Sequence, residues 1–239
     1  MARHSHWHNI QITKGKADAK RAASFTKLAR EITVSAREKG GDPEMNARLR
    51  AAIDRAREAS MPKDNIDRAI QRGVGGGDGG TLETLTYEGY GPGGTALVIE
   101  CVTDNRNRSA NEVKHLLSKH GGTIAATGAV TYLFERVAAF RMYAPFAEGR
   151  EALELSLIEA GATRIEETAD GLEVFAEPGA FSAVADVLRN AKLATSAAEF
   201  AWIPKTTVEV DMATAQAVSN LIDILEADDD VSRVFHNLA

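Results

Sequence analysis

The chain has 239 residues and a net charge of −6; 44% of its residues are hydrophobic and 26% charged, as in ordinary globular proteins. This composition excludes an intrinsically disordered chain, and no apolar run is long enough for a membrane-spanning helix. Cys101 is the only cysteine, so no internal disulfide can form, and the residues after Met1 lack the apolar segment of a secretory signal. We therefore expect a cytoplasmic protein of about two domains that binds no membrane.

The charge is divided unevenly along the chain. Residues 1–75 contain 16 Lys and Arg against 9 Asp and Glu, a net charge of +7. Residues 76–239 contain 12 against 25, a net charge of −13. A basic segment on an acidic body indicates a region that meets a polyanion such as a nucleic acid, although solvated helix faces would give the same counts.

The basic segment is predicted to be an arm followed by a three-helix domain, together residues 1–75. Residues 1–16 are polar and aperiodic, and helical spacing of apolar residues begins near Ala17. The pair Asp42-Pro43 predicts the start of a second helix, and a third is predicted from about Pro62 to Arg72. Helices of this size can bury one small core between them.

A glycine-rich stretch at 73–80 separates this domain from the rest. Six of its eight residues are glycine, which is too large an entropic cost inside a helix or strand. We predict a linker at 76–80 and a domain boundary there.

Residues 137–205 have the pattern of a complete α/β unit. Alternating strands and amphipathic helices follow each other in the order βαββαβ, the ferredoxin-like arrangement. We expect this unit to close its own core, so that its deletion would leave the remainder folded.

The segments on either side of this unit are predicted to be two halves of another domain. A helix between strands at 95–102 and 129–134 precedes the unit, and a helix between strands at 207–210 and 231–235 follows it. Each half alone would expose an apolar face and strand edges. We therefore predict a split domain, made of residues 81–136 and 206–239. The fold class is α+β multidomain, with a three-helix domain followed by two ferredoxin-like α/β domains, one inserted into the other.

No group of residues predicts catalysis, a cofactor or a metal site. The turn at 89–94 joins two strands, whereas a dinucleotide-binding loop opens a helix. Cys101 lies in an apolar strand, as buried cysteines do. The alternating histidines of the arm, at 4, 6 and 8, leave copper or nickel binding open. We expect a protein that is not an enzyme and has no small-molecule substrate; an enzyme with an unrecognised site is the remote alternative.

Basic clusters are the candidate nucleic-acid contacts. The arm and first helix contribute Arg3, Lys14, Lys16, Lys20, Arg21 and Lys27. Trp7 could stack on a base or anchor the arm on the helices. Arg106 and Arg108 precede a helix with a capping box at 109–112, a setting that suits a phosphate, although turn chemistry with solvated arginines fits equally.

Several stretches in chain order resemble the YebC/PmpR family, which includes the mitochondrial translational activator of cytochrome c oxidase. They lie at 4–7, 9–10, 25–28, 30–32, 41–43, 61–66, 87–94, 103–108 and 234–237. The resemblance implies a helical domain and two α/β domains, one interrupting the other. It also implies one of two roles, a DNA-binding transcriptional regulator or a translation factor that relieves ribosome stalling at proline-rich stretches.

The resemblance also draws attention to residues 61–65, between the second and third helices. In the family this stretch approaches the peptidyl-transferase region, which implies that Lys63 pairs with an RNA phosphate and that an exposed Met61 packs on a base, beside Asn65. We place ribosomal RNA first and promoter DNA second as partner, because a long duplex would repel the acidic body, whereas RNA readers favour shape and single strands.

Overall fold

The computed structural model describes residues 19–75, 82–143, 149–168, 171–191, 193 and 195–239. The predicted arm and the predicted linker lie outside these residues. Three helices come first in the described part, α1 (Ala19–Lys39), α2 (Ala47–Glu58) and α3 (Lys63–Val74). The predicted fold class is confirmed, since two α/β units follow the helices.

The three helices share an apolar core, and specific close contacts fix how they cross. Asn46, and not Asp42, caps α2: its side chain accepts the N–H of Leu49, and its amide donates to the carbonyl of Ser35 at 2.7 Å. Gly73 of α3 faces α1 so closely that a Cβ there would lie 2.5 Å from the carbonyl oxygen of Thr33. Only glycine permits this close crossing of α1 and α3.

The α/β part alternates strands and helices. In chain order its elements are β1 (Glu83–Tyr90), β2 (Ala96–Thr103), α4 (Arg106–Lys119), β3 (Thr123–Ala125), β4 (Phe134–Tyr143), α5 (Arg150–Glu159), β5 (Ala162–Thr168), β6 (Gly171–Ala176), α6 (Phe181–Asn190), β7 (Thr195–Pro204), α7 (Met212–Ala227) and β8 (Val231–His236).

The second sheet has the strand order β5-β6-β4-β7, with every neighbouring pair antiparallel. Its elements follow each other as βαββαβ, so this unit is ferredoxin-like. Arg141 and Glu173 pair in register across β4 and β6, with the Nη2 of the arginine 2.5 Å from Oε1 of the carboxylate. Both are buried, at 6% and 0% exposure.

The first sheet has the order β3-β1-β2-β8 and joins strands from both sides of the inserted unit. The strands lie side by side in the order of a ferredoxin-like sheet. The sequence in which the chain forms these strands differs from the prediction. The strand between β2 and β3 is β1, which pairs with β2 along its whole length. The strand predicted at 207–210 is wrong: only Val208 makes a bridge, to Leu238.

The strand predicted at 129–134 is wrong except at Phe134, where β4 begins, and the reason lies in Glu88. Its buried carboxylate accepts the N–H groups of Gly128, Val130 and Thr131 at 2.6–2.8 Å. Burial raises the pKa of Glu88, but these hydrogen bonds outweigh burial and leave the pKa below its usual value. Backbone donors that bond to a side chain are not available to a strand, so this segment is a turn.

The two sheets pack face to face. Along β2, Leu97 and Ile99 point towards helices α4 and α7, whereas Ala96 and Val98 point towards the second sheet. The facing surface of the second sheet includes Val137, Ala139, Ala197 and Ala201. The layers are therefore helices, sheet, sheet and helices. The chain crosses between sheets where Lys205 N–H donates to the carbonyl of Leu133 at 2.8 Å.

Candidate nucleic-acid interface

Lys27, predicted on the polar face of the first helix, lies at the junction of the helical and α/β parts. Its ammonium donates to the carbonyl oxygens of Glu226 and Val231, at 2.5 and 2.9 Å. Burial lowers the pKa of Lys27, although the carboxylates of Glu226 and its neighbours oppose the shift. Lys27 is therefore not a fully solvated cation, because its ammonium is hydrogen-bonded to carbonyl groups on both sides of the turn that precedes β8.

Arg108 meets the same turn. Asp230 is only 6% exposed and accepts hydrogen bonds from Arg108, from Arg30 and from the hydroxyl of Thr103. Arg108 also donates to Asp104 at 2.8 Å, and this hydrogen bond lowers the pKa of Asp104. The arginine is therefore held by two carboxylates, and a phosphate would have to compete with both.

Arg106 lies apart from that cluster. It is exposed and its Nη2 is 3.4 Å from the carboxylate of Glu83 on β1. Asn105 caps α4 by accepting the N–H of Arg108, so the helix starts three residues before the predicted capping box. The arginines occupy the first turn of this helix instead of a loop before it.

The stretch at 61–65 divides into a buried part and an exposed part. Met61 is 5% exposed and packs in the core of the three helices, so the expectation of an exposed thioether is wrong. Its N–H donates to Ala56 O at 2.8 Å in the turn that ends α2, and this turn carries the side chain inwards. Lys63 is exposed at the start of α3, and Asn65 accepts a hydrogen bond from Arg68.

This division gives a matched pair of predictions for stability. Met61→Ala should lower the free energy of unfolding by about 2 kcal/mol or more, because it leaves a cavity in the helical core. Lys63→Ala should change it by about 0.5 kcal/mol or less, because the side chain is exposed. Urea denaturation followed by circular dichroism measures both, and equal effects would contradict the division.

The remaining predicted contacts lie outside the described structure. Residues 1–18 are not described, which includes Arg3, Trp7, Lys14 and Lys16. Lys20 and Arg21 belong to α1, and their side chains are outside the described set. The predicted residues that the structure does bring together are Lys27 and Arg108, at the turn before β8.

A groove that the sequence did not lead us to expect lies between α1 and α3, and we name it the α1–α3 groove. Its volume is about 590 Å³. Apolar side chains and arginines line it: Phe25, Ala29, Met61, Ala69, Arg30, Arg37, Arg68 and Arg72. Arginines repeat at helical spacing in the sequence, at 68 and 72 and at 30 and 37, which was the available signal.

Arginines of the two parts differ in their partners. In the described α/β part, every arginine except Arg136 has a carboxylate within 3.4 Å, and Arg136 lies over the ring of Trp202. Among the described residues Arg37 and Arg72 have no acidic partner, and Arg68 bonds only to the Asp64 carbonyl and to Asn65. Arginines without an acidic partner are therefore more frequent on the helical part, although five of its described arginines are paired: Arg30, Arg48, Arg50, Arg55 and Arg57.

The described residues give little support to thiol chemistry, metal binding or a membrane-spanning helix. Cys101 is buried, and burial raises its pKa to about 12, so the thiol stays protonated at neutral pH. Within the described ranges no three His, Cys, Asp or Glu side chains converge as a metal site would require. The helices described here are all too short or too polar to cross a bilayer.

The chain was compared with known proteins. Residues 5–76 match the family described as TACO1/YebC protein N-terminal domain, and residues 82–238 match that described as TACO1/YebC second and third domain. A probable transcriptional regulatory protein of Carboxydothermus hydrogenoformans is 47% identical over 99% of this chain and 98% of its own length. Another, of Shewanella oneidensis, is 48% identical over 99% of this chain and 95% of its own.

A solved structure agrees with these matches. The crystal structure of a conserved hypothetical protein from Aquifex aeolicus covers 98% of this chain and 97% of its own, with a TM-score of 0.84 and 41% sequence identity. The fold of the described residues is therefore shared with that protein. By sequence and by structure, this chain belongs to the TACO1/YebC family.

Proposed function

We propose that this protein is a nucleic-acid-binding regulator of gene expression that contacts ribosomal RNA and relieves stalling at proline-rich stretches. The observation that carries the proposal is the contrast in arginine pairing. Of the eight arginines described in each part, the α/β part leaves one, Arg136, without a carboxylate partner, and the helical part leaves three, Arg37, Arg68 and Arg72. Cations that have no acidic partner in the protein are available to pair with the phosphates of a nucleic-acid backbone.

A DNA-binding transcriptional regulator is the second candidate, and the names of the relatives favour it. The charges favour RNA. Residues 76–239 carry a net charge of −13, which opposes a long duplex lying across the body. On α3 the exposed face mixes Asp64 and Asp67 with Lys63, Arg68 and Arg72, unlike a helix that reads bases in a major groove.

Lys63 gives the sharpest test within the proposed mechanism. It is exposed at the first residue of α3, in the stretch whose family resemblance implies proximity to the peptidyl-transferase region. Lys63→Ala should strongly reduce relief of stalling on a proline-rich reporter while the melting temperature stays unchanged. Lys114→Ala is the matched control, since this lysine is equally exposed but lies on α4 of the acidic part.

Crosslinking in cells, followed by sequencing of the bound nucleic acid, separates the two candidates. We expect ribosomal RNA to be enriched, and less so for the Lys63 variant than for the Lys114 variant. Enrichment of promoter DNA, with normal stalling relief in both variants, would establish the transcriptional role instead.

A further inference from the structure

The α1–α3 groove has an apolar floor with an aromatic ring at one end. Phe25 of α1 is half-buried and lies in the lining together with Ala29, Met61 and Ala69. A partly exposed ring beside small apolar groups is a surface on which a nucleobase can stack. The inner edges of the same residues belong to the helical core, so the floor is fixed in place.

The opposite end of the groove is cationic. Arg37 is in the last turn of α1 and Arg72 in the last turn of α3. They lie at the close crossing of the two helices, where a Cβ built on Gly73 would be 3.2 Å from the backbone nitrogen of Arg37. The carboxylate in the lining, Asp104, already pairs with Arg108. Guanidinium groups without carboxylate partners are suited to bind phosphate.

The spacing of the two ends sets the size of the occupant. Phe25 and Arg37 are twelve residues apart on one helix, which is about 18 Å at 1.5 Å per residue. That distance is longer than one nucleotide. Arg68 lies in the lining between Asn65 and Arg72, so cations continue along the groove.

We propose that the α1–α3 groove binds a short single-stranded segment of RNA, with a base stacked on Phe25 and phosphates held by Arg37 and Arg72. A duplex keeps its bases stacked inside and cannot offer one to the floor, whereas loops and bulges of RNA present unstacked bases. The inference rests on the proposed function and names the form of nucleic acid and the site that binds it.

The phosphate end is tested in the full-length protein with fluorescein-labelled oligouridine and fluorescence anisotropy. Arg37→Ala combined with Arg72→Ala should weaken binding about tenfold or more. The slope of log affinity against log salt should fall by about 1.4, because each phosphate contact on a single strand contributes about 0.7. The control is Lys39→Ala combined with Arg57→Ala, which removes the same charge from the helical part at exposed residues outside the groove.

The stacking end is tested by two substitutions of Phe25, one that removes the aromatic ring and one that keeps it. Phe25→Leu should weaken binding about fivefold or more, since it removes the aromatic face. Phe25→Tyr should retain the affinity. Oligouridine with a 4-thiouridine photocrosslinker should form a crosslink to a peptide containing Phe25 or Met61, and this readout needs no variant to fold.

The outcomes separate this inference from the proposed function. If the wild-type protein binds oligouridine and the arginine and Phe25 variants bind it as tightly, the groove is not the site, while RNA binding stands. Crosslinks confined to residues 1–18 would likewise overturn the groove assignment. If the wild-type protein binds duplex DNA and no RNA, both the inference and the proposed function are wrong.

Discussion

Replacing Glu173 by alanine should destabilise the second α/β unit by about 3–5 kcal/mol, because it removes the carboxylate that pairs with the buried guanidinium of Arg141. Arg141, its partner on the neighbouring strand, is 6% exposed and has its Nε 3.0 Å from the carboxylate. Burial leaves little water to replace the lost contact. Urea denaturation followed by circular dichroism should show the loss as a lower midpoint.

A double substitution tests whether the instability comes from removing one partner of the buried ion pair, and not from losing the Glu173 side chain as such. Arg141→Met with Glu173→Leu replaces both charges by apolar groups of similar volume and should recover most of the stability. As a surface control, Arg150→Ala breaks an ion pair with Glu154 in which both side chains are about one-third exposed, and should cost about 1 kcal/mol or less. A double variant as unstable as Glu173→Ala would contradict this explanation.

Deleting residues 134–204 should leave a remainder that does not unfold cooperatively and self-associates. The geometry permits the deletion, since Leu133 and Lys205 are joined by a hydrogen bond of 2.8 Å. However, the deletion uncovers the inner face of the first sheet, where Ala96, Val98 and Phe235 are at most 1% exposed. Each large side chain uncovered here forfeits about 1.5–3 kcal/mol of burial.

This expectation differs from that of the sequence, in which the inserted unit closes its own core and is dispensable. Sedimentation of the deletion protein measures association, and denaturation measures cooperativity. The same deletion carrying Val98→Thr and Phe235→Thr should be less associated, because its inner face is less apolar. A monomeric deletion protein with a sharp unfolding transition would restore the sequence-based view.

Periodicity in the sequence was sufficient to predict elements whose pattern is local. The βαββαβ unit at 137–205 was predicted because each strand alternates and each helix has an apolar stripe. The strands predicted at 129–134 and 207–210 failed because pairing is not local. In the segment 129–134, the N–H groups of Val130 and Thr131 are hydrogen-bonded to the carboxylate of Glu88. The segment 207–210 would need the position beside β2, which β1 occupies.

The candidate site was harder to predict for the same reason. A count of charges cannot tell a paired cation from an unpaired one when the partner is distant in sequence. Lys27 bonds to a carbonyl 199 residues away, and Arg30 to a carboxylate 200 residues away. Arg37, two turns further along α1, has no acidic partner among the described residues, although in sequence it looks no different from the other two.

The split of the first sheet has a consequence for the growing chain. β1 and β2 emerge early in synthesis, and β8 completes the sheet only after all of the second unit and α7 have followed. Until then β2 has one edge without a partner, and such an edge can pair with a strand of another chain. Folding of the first α/β unit is therefore a late event that waits for the C-terminal residues, whereas all strands of the second unit have been synthesised before α7 begins.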